Sequence, residues 1–94
     1  MDKFKNPATD AFFEAILTLE NVEECYKFFE DVCTVKEMQS IAQRFTVAKM
    51  LTEKKVYSDI VAETGASTAT ISRVNRSLTY GADGYSLVFG RLKK

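Results

Sequence analysis

Residues Tyr57–Arg76, YSDIVAETGASTATISRVNR, decide the fold, because they read as two short helices joined by a tight turn. Gly65 suits the end of the first helix, since glycine adopts a positive φ without steric cost. Ala66 is small enough to lie inside the turn, and Ser67 is a good N-cap for the second helix. The pattern predicts a helix-turn-helix over about residues 57–79, with the second helix offered to the major groove of DNA.

The second helix of this motif has two chemically different faces. Ile71, Val74 and Leu78 stand at i, i+3 and i+7 and form one apolar stripe. The rest of its surface carries small, hydroxyl and guanidinium side chains, which suit contacts with base edges and phosphates. A helical hairpin that only packs is the alternative interpretation of the same pattern. The predicted DNA contacts are Ser67, Thr68, Ala69, Thr70, Ser72, Arg73 and Arg76.

Charge is distributed unevenly along the chain, although the formal net charge of its 94 residues is zero. Residues 1–34 hold three basic and eight acidic side chains, whereas residues 35–94 hold ten basic and five acidic ones. The basic excess therefore lies on the half that carries the helix-turn-helix, as expected of a DNA-binding face. Lys49, Lys54 and Lys55 are either phosphate contacts or ordinary solvated side chains.

Composition argues against a metal centre, a cofactor site and an enzyme. Cys25 and Cys33 are the only cysteines, and the chain has no histidine, so neither zinc-ligand spacing nor the usual general base is present. There is no glycine-rich phosphate loop, no apolar run long enough to span a membrane and no secretory signal pattern. We therefore expect a non-enzymatic cytoplasmic protein without metal or cofactor.

The remaining sequence predicts more helices and no strand. Apolar periodicity indicates helices over about residues 8–19 and 22–32, the second burying Val22, Tyr26, Phe29 and Cys33. Thr34 and Glu37 have the spacing of a capping box before a long helix at 34–51. Asp83 is expected to cap a short last helix that carries Leu87, Val88 and Leu92. We expect a single all-α domain of about six helices over residues 1–94.

The chain is rich in phenylalanine, with seven in 94 residues. Phe12–Phe13 and Phe28–Phe29 each place two adjacent rings about 100° apart around a helix. One small core cannot easily bury both members of each pair, so we expect a second copy of the chain to cover the remainder. The alternative is a wide buried face within one subunit.

Three segments carry a resemblance to the Trp-repressor superfamily, and within it to the YerC/YecD-like group. They are residues 34–51, TVKEMQSIAQRFTVAKML; residues 57–78, YSDIVAETGASTATISRVNRSL; and residues 80–85, YGADGY. The resemblance spans most of the chain. It implies an all-α fold of about six helices and an intertwined homodimer, in which N-terminal helices of one subunit wrap around the other.

The resemblance also implies a possible effector pocket. Two arginines that frame the corepressor in the Trp repressor fall on Arg44 and Arg73, and Thr34 falls near a position that lines the pocket. Val74 stands where that protein has a glycine that leaves space for the indole ring, which argues against tryptophan as the effector. Arg44 is then a partly buried structural arginine paired with an acidic side chain.

Two functions from different classes fit the sequence. The first is a dimeric transcriptional regulator, a repressor, that binds a pseudo-palindromic site on double-stranded DNA. The second is a helical dimerisation or protein-interaction module with little DNA affinity, which the neutral net charge favours. The charge of the surface around the recognition helix discriminates between them.

Overall fold

The computed structural model describes residues 3–93, and this part of the chain contains helices and no strand. The prediction of an all-α fold with six helices is confirmed. By α-carbon contacts the chain divides into two compact units, Met1–Met38 and Gln39–Lys94. The expectation of a single domain over residues 1–94 stays a prediction. The helices are α1 (Pro7–Ile16), α2 (Val22–Val32), α3 (Val35–Thr52), α4 (Tyr57–Thr64), α5 (Thr68–Tyr80) and α6 (Gly84–Leu92).

Asparagine side chains start the two helices of the N-terminal unit. The Oδ1 atom of Asn6 accepts a hydrogen bond from the backbone N–H of Thr9 at 2.8 Å, and Pro7 occupies the first turn of α1. Asn21 caps α2 in the same way, through the N–H of Glu24 at 2.9 Å. Helix α1 ends at Ile16 rather than near residue 19 as predicted. The chain turns there, with the Thr18 hydroxyl donating to the carbonyl of Ala15 at 2.7 Å.

Aromatic rings hold the N-terminal unit together, and none of its described residues, 3–38, has a buried side chain. The rings of Phe12 and Phe28 stack with centroids 5.9 Å apart, and Phe28 meets Phe29 edge-on at 5.4 Å. The expected burial of Val22 and Tyr26 on α2 is wrong for the single chain, since they are 72% and 67% exposed. Periodicity identified the apolar face of the helix, but no apolar surface of this unit covers those two residues.

Capping geometry defines both ends of α3. The predicted capping box is confirmed: the Thr34 hydroxyl accepts from the N–H of Glu37 at 3.1 Å, and the Glu37 carboxylate accepts from the N–H of Thr34 at 2.8 Å. At the other end Lys54 adopts a left-handed conformation with φ 65°. Its N–H donates to the carbonyl of Leu51, and that of Lys55 donates to the carbonyl of Met50, each at 3.1 Å. This is a Schellman ending in which lysine takes the position usually held by glycine.

The C-terminal unit has a compact apolar core beneath the helix-turn-helix. Phe89 of α6 packs against this core. Its ring lies on Phe45 of α3, with ring centroids 5.2 Å apart, and stacks on Tyr85 at 6.0 Å. The three helices α3, α4 and α5 each contribute buried side chains, so the core fixes the orientation of α5. The buried residues are Val47, Ala48, Met50, Ile60, Ala66, Ile71 and Val74.

The loop between α5 and α6 differs from expectation at Asp83. This residue precedes α6, but it has φ 66° and its side chain makes no capping hydrogen bond, so the predicted cap is wrong. A left-handed backbone at this position replaces the extended conformation typical of a capping residue. Leu87, Val88 and Leu92 do lie on α6, where all three are exposed.

Within residues 3–93, no helix is both long enough and apolar enough to cross a membrane.

Candidate nucleic-acid interface

Helix α5 buries one face and presents the other. Ile71 and Val74 are buried against α3 and α4 residues, and Leu78 packs at the edge of the same core. Both arginines of the helix, Arg73 and Arg76, are exposed. The predicted contact residues therefore share one surface, apart from Thr70, which is half-buried. The exposed ones are Ser67, Thr68, Ala69, Ser72, Arg73 and Arg76.

The two hydroxyl groups at the start of α5 are engaged with each other. The Ser67 Oγ atom accepts a hydrogen bond from the Thr70 N–H at 3.1 Å, and the Ser67 hydroxyl donates to Thr70 Oγ1, also at 3.1 Å. Ser67 is thus the predicted N-cap, and Thr70 supports it. The other two predicted contacts in the first turn, Thr68 and Ala69, are exposed, and their side chains make no hydrogen bond within residues 3–93.

Thr64 and Gln43 fix the turn between α4 and α5. The Thr64 hydroxyl donates to the carbonyl of Ile60 at 2.7 Å and accepts from the N–H of Ala66 at 3.1 Å. The Thr64 carbonyl accepts from the Gln43 amide on α3 at 3.0 Å. With Gly65 at φ 71° and Ala66 buried, as predicted, these bonds hold α5 at a defined angle to α4. Sequence reasoning missed Gln43, which lies 21 residues from Thr64 along the chain.

The charged side chains of α5 are all basic, which suits contact with an anionic partner. Residues 68–80 include two arginines and no acidic side chain. Lys54 and Lys55 are exposed in the connection before α4, whereas Asp59 and Glu63 are exposed on α4. Within the motif the basic side chains are therefore on α5, and the exposed carboxylates are on α4.

Two of the three residues predicted for an effector pocket, Thr34 and Arg44, have other structural partners. The Thr34 hydroxyl belongs to the capping box of α3, in the N-terminal unit. Arg44 is exposed, and its Nη1 atom donates to Ser40 Oγ at 3.0 Å. The expectation that Arg44 is partly buried and paired with an acidic side chain is therefore wrong, because Ser40, one turn earlier on α3, takes the guanidinium instead. Arg73 is exposed on α5.

Val74 lies on the inner face of α5, not on the surface shared with the arginines. Its side chain is 2% exposed and belongs to the same core as Ile60 and Ile71. A glycine at this position would leave the volume of a valine side chain empty or open to a ligand. In this chain that volume is filled by the protein.

This fold and this two-faced helix define a class of protein, the Trp-repressor-like helix-turn-helix proteins. The Trp repressor protein family model matches residues 8–93, and the chain belongs to this family. It is 52% identical, over its whole length and 90% of the relative's length, to the uncharacterized protein YerC of Bacillus subtilis (strain 168). The resemblance to the YerC-like group is thereby confirmed.

Two crystal structures share the fold closely. One is a candidate Trp repressor from Staphylococcus aureus, with a TM-score of 0.93 and 54% identity over 98% of this chain and 92% of that one. The other is a TrpR-like protein from Eubacterium eligens ATCC 27750, with a TM-score of 0.94 and 59% identity over 99% of this chain and 96% of that one. The family and the fold are those of a regulator.

Proposed function

We propose that this protein is a sequence-specific DNA-binding transcriptional regulator, a repressor, that acts in the bacterial cytoplasm as a homodimer on a pseudo-palindromic site. The single observation that carries the proposal is the outer face of α5. It is exposed, it holds Arg73 and Arg76 without an acidic neighbour on the helix, and a buried core fixes it from behind. Membership of the Trp repressor family supports the same function.

The first turn of α5 is the part best suited to read bases. Recognition helices contact base edges mainly with their N-terminal residues. Ser67 and Thr70 are occupied with the cap, so base preference falls to Thr68 and Ala69, with Ser72 one turn on. The small side chain of Ala69 allows the helix backbone to approach the bases closely. Arg73 and Arg76 then extend towards the phosphates.

Surface area supports the dimer. The chain exposes 7775 Å² of surface. Two separate globules with the lengths of the two units would together expose roughly 6600 Å². The excess is of the size that obligate homodimers bury. A second copy of this chain would cover it and would place two α5 helices about one DNA turn apart.

We further infer that an effector, if the regulator has one, is not tryptophan. Val74 fills the position that the indole would need, and it is buried in the core rather than free to move aside. Calorimetric titration with tryptophan should show no saturable binding up to millimolar ligand. A micromolar dissociation constant would contradict this inference. If no binding is seen, Val74→Gly is the informative follow-up, because it would empty the position that the indole needs.

Selection of bound sites from a pool of random duplexes tests the proposed function. The expected result is an enriched motif with two inverted half-sites about one helical turn apart. Two variants test whether α5 makes the contacts with the selected DNA sequence. Ala69→Glu should abolish binding by placing a charge against the duplex, and Arg76→Ala should weaken all sequences similarly and reduce the salt slope by ~1. No enrichment, or full affinity in both variants, would replace the regulator by a protein-interaction module of the same fold.

A further inference from the structure

Tyr80 continues the exposed face of α5 beyond the predicted contacts. It is the last residue of the helix, and its side chain is 83% exposed. Ala69, Arg73, Arg76 and Tyr80 stand at i, i+4, i+7 and i+11, so they form one stripe along the helix. Tyr80 lies about 6 Å beyond Arg76 along the helix axis.

Gly81 fixes the position of Tyr80 at the end of this stripe. The Gly81 N–H donates to the carbonyl of Ser77 at 2.9 Å, and an added Cβ at residue 81 would lie 2.3 Å from that carbonyl oxygen. A side chain at this position would therefore force the backbone to shift, and glycine allows the helix to end at Tyr80 without that shift. The ring is thus presented by a defined helix terminus rather than by a variable loop.

We propose that Tyr80 contacts the DNA backbone, flanking the bases that the first turn of α5 reads; this proposal rests on the DNA-binding function proposed above. When the N-terminal end of a recognition helix enters the major groove, its C-terminal end leads out towards the sugar-phosphate wall. A phenol there can donate one hydrogen bond to a phosphate oxygen and pack its ring against a sugar. Because a phenol is not a cation, it contributes affinity without releasing a counterion.

The salt dependence of binding distinguishes this role from that of an arginine. Affinity for the selected duplex is measured from low to moderate salt for the wild type, Tyr80→Phe and Tyr80→Ala. Removing the hydroxyl alone should weaken binding about 3- to 10-fold, the range of one neutral hydrogen bond, with the salt slope unchanged. Tyr80→Ala should weaken it further. Tyr85→Phe, which deletes the hydroxyl of a half-buried tyrosine that stacks on Phe89 within α6, is the control and should bind as the wild type.

Two results would overturn the proposal. Wild-type affinity in both Tyr80 variants, alongside loss in Ala69→Glu, would leave α5 in the groove but remove Tyr80 from the interface. A shift of Tyr80→Ala to lower mass in sedimentation would assign the ring to contact between subunits. Failure of the wild-type protein to bind any duplex is a separate outcome, which refutes the proposed function and with it this contact.

Discussion

The two units of the chain differ in how they bury their apolar side chains. In the C-terminal unit, seven side chains from three helices and one turn are buried and fix the helix-turn-helix. In the N-terminal unit no side chain of α1 or α2 is fully buried, and aromatic rings such as Phe12 and Phe28 are only partly covered. A unit of this size cannot repay its conformational entropy with so little burial. From this difference we infer that the helix-turn-helix half is complete within one chain, and that the proposed homodimer would complete the N-terminal half.

The largest effect is expected from removing an aromatic ring of the N-terminal unit. Phe12 packs on Phe28 and Phe29, with centroids 5.9 Å and 6.3 Å away. If the partner chain completes its burial, Phe12→Ala should cost ~3–5 kcal/mol per chain. Thermal unfolding should then depend on protein concentration, because folding and dimerisation are linked. Phe12→Leu keeps most of the apolar volume, so it should lower the free energy of unfolding much less. A small loss of unfolding free energy that does not depend on protein concentration would contradict the inference that a second chain covers the N-terminal unit.

A core substitution in the C-terminal unit should act through the fold of the helix-turn-helix. Ile71 is fully buried between α5 and the rest of the core. Ile71→Ala should lower the free energy of unfolding by ~2–5 kcal/mol, while Ile71→Val, the conservative control, should lower it by ~0.5–1.5 kcal/mol. Denaturant unfolding measures both. An Ile71→Ala variant as stable as the wild type would mean that α5 is not held by this core.

Removing the Thr64 hydroxyl tests whether its hydrogen bonds in the turn hold α5 in place. Thr64→Val keeps the shape of the side chain but removes the acceptor for the Ala66 N–H, so we expect a loss of about 1–3 kcal/mol. Thr79→Val is a matched control, since its hydroxyl also donates to a carbonyl four residues earlier, at 3.1 Å, but accepts no backbone bond. Equal losses in the two variants would show that the turn does not depend on Thr64.

The smallest effect is a gain in stability at Lys54. A lysine at φ 65° bears the strain of a left-handed backbone, which glycine avoids. Lys54→Gly should stabilise the protein by roughly 0.5–1 kcal/mol, after the greater freedom of glycine in the unfolded chain is subtracted. Lys55→Gly, next to it without the positive φ, should not stabilise. Destabilisation by Lys54→Gly would mean that the lysine side chain contributes more than its backbone costs.

Local signals explain why the helices could be predicted from sequence. The bounds predicted for α2, residues 22–32, and for the helix-turn-helix, residues 57–79, agree with the structure to within a residue at each end, because Asn21, Gly65 and Ser67 act through bonds to their near neighbours. The left-handed conformations of Lys54 and Asp83 carried no such signal, since neither is a glycine.

The features that the sequence did not predict depend on distant residues or on a second chain. The Gln43–Thr64 bond joins residues far apart along the chain, and no periodicity marks it. Periodicity also marked Val22 and Tyr26 as an apolar face without indicating which chain covers them. On α5 the sequence identified the outward face, but not that Thr70 is half-buried beside the cap.

Sedimentation equilibrium of the wild-type protein at micromolar concentration tests most directly whether a second chain completes the N-terminal unit. The expected result is a single species with twice the 10.6 kDa mass of the chain, without a detectable folded monomer. A 10.6 kDa species that unfolds cooperatively, at a temperature independent of its concentration, would contradict it.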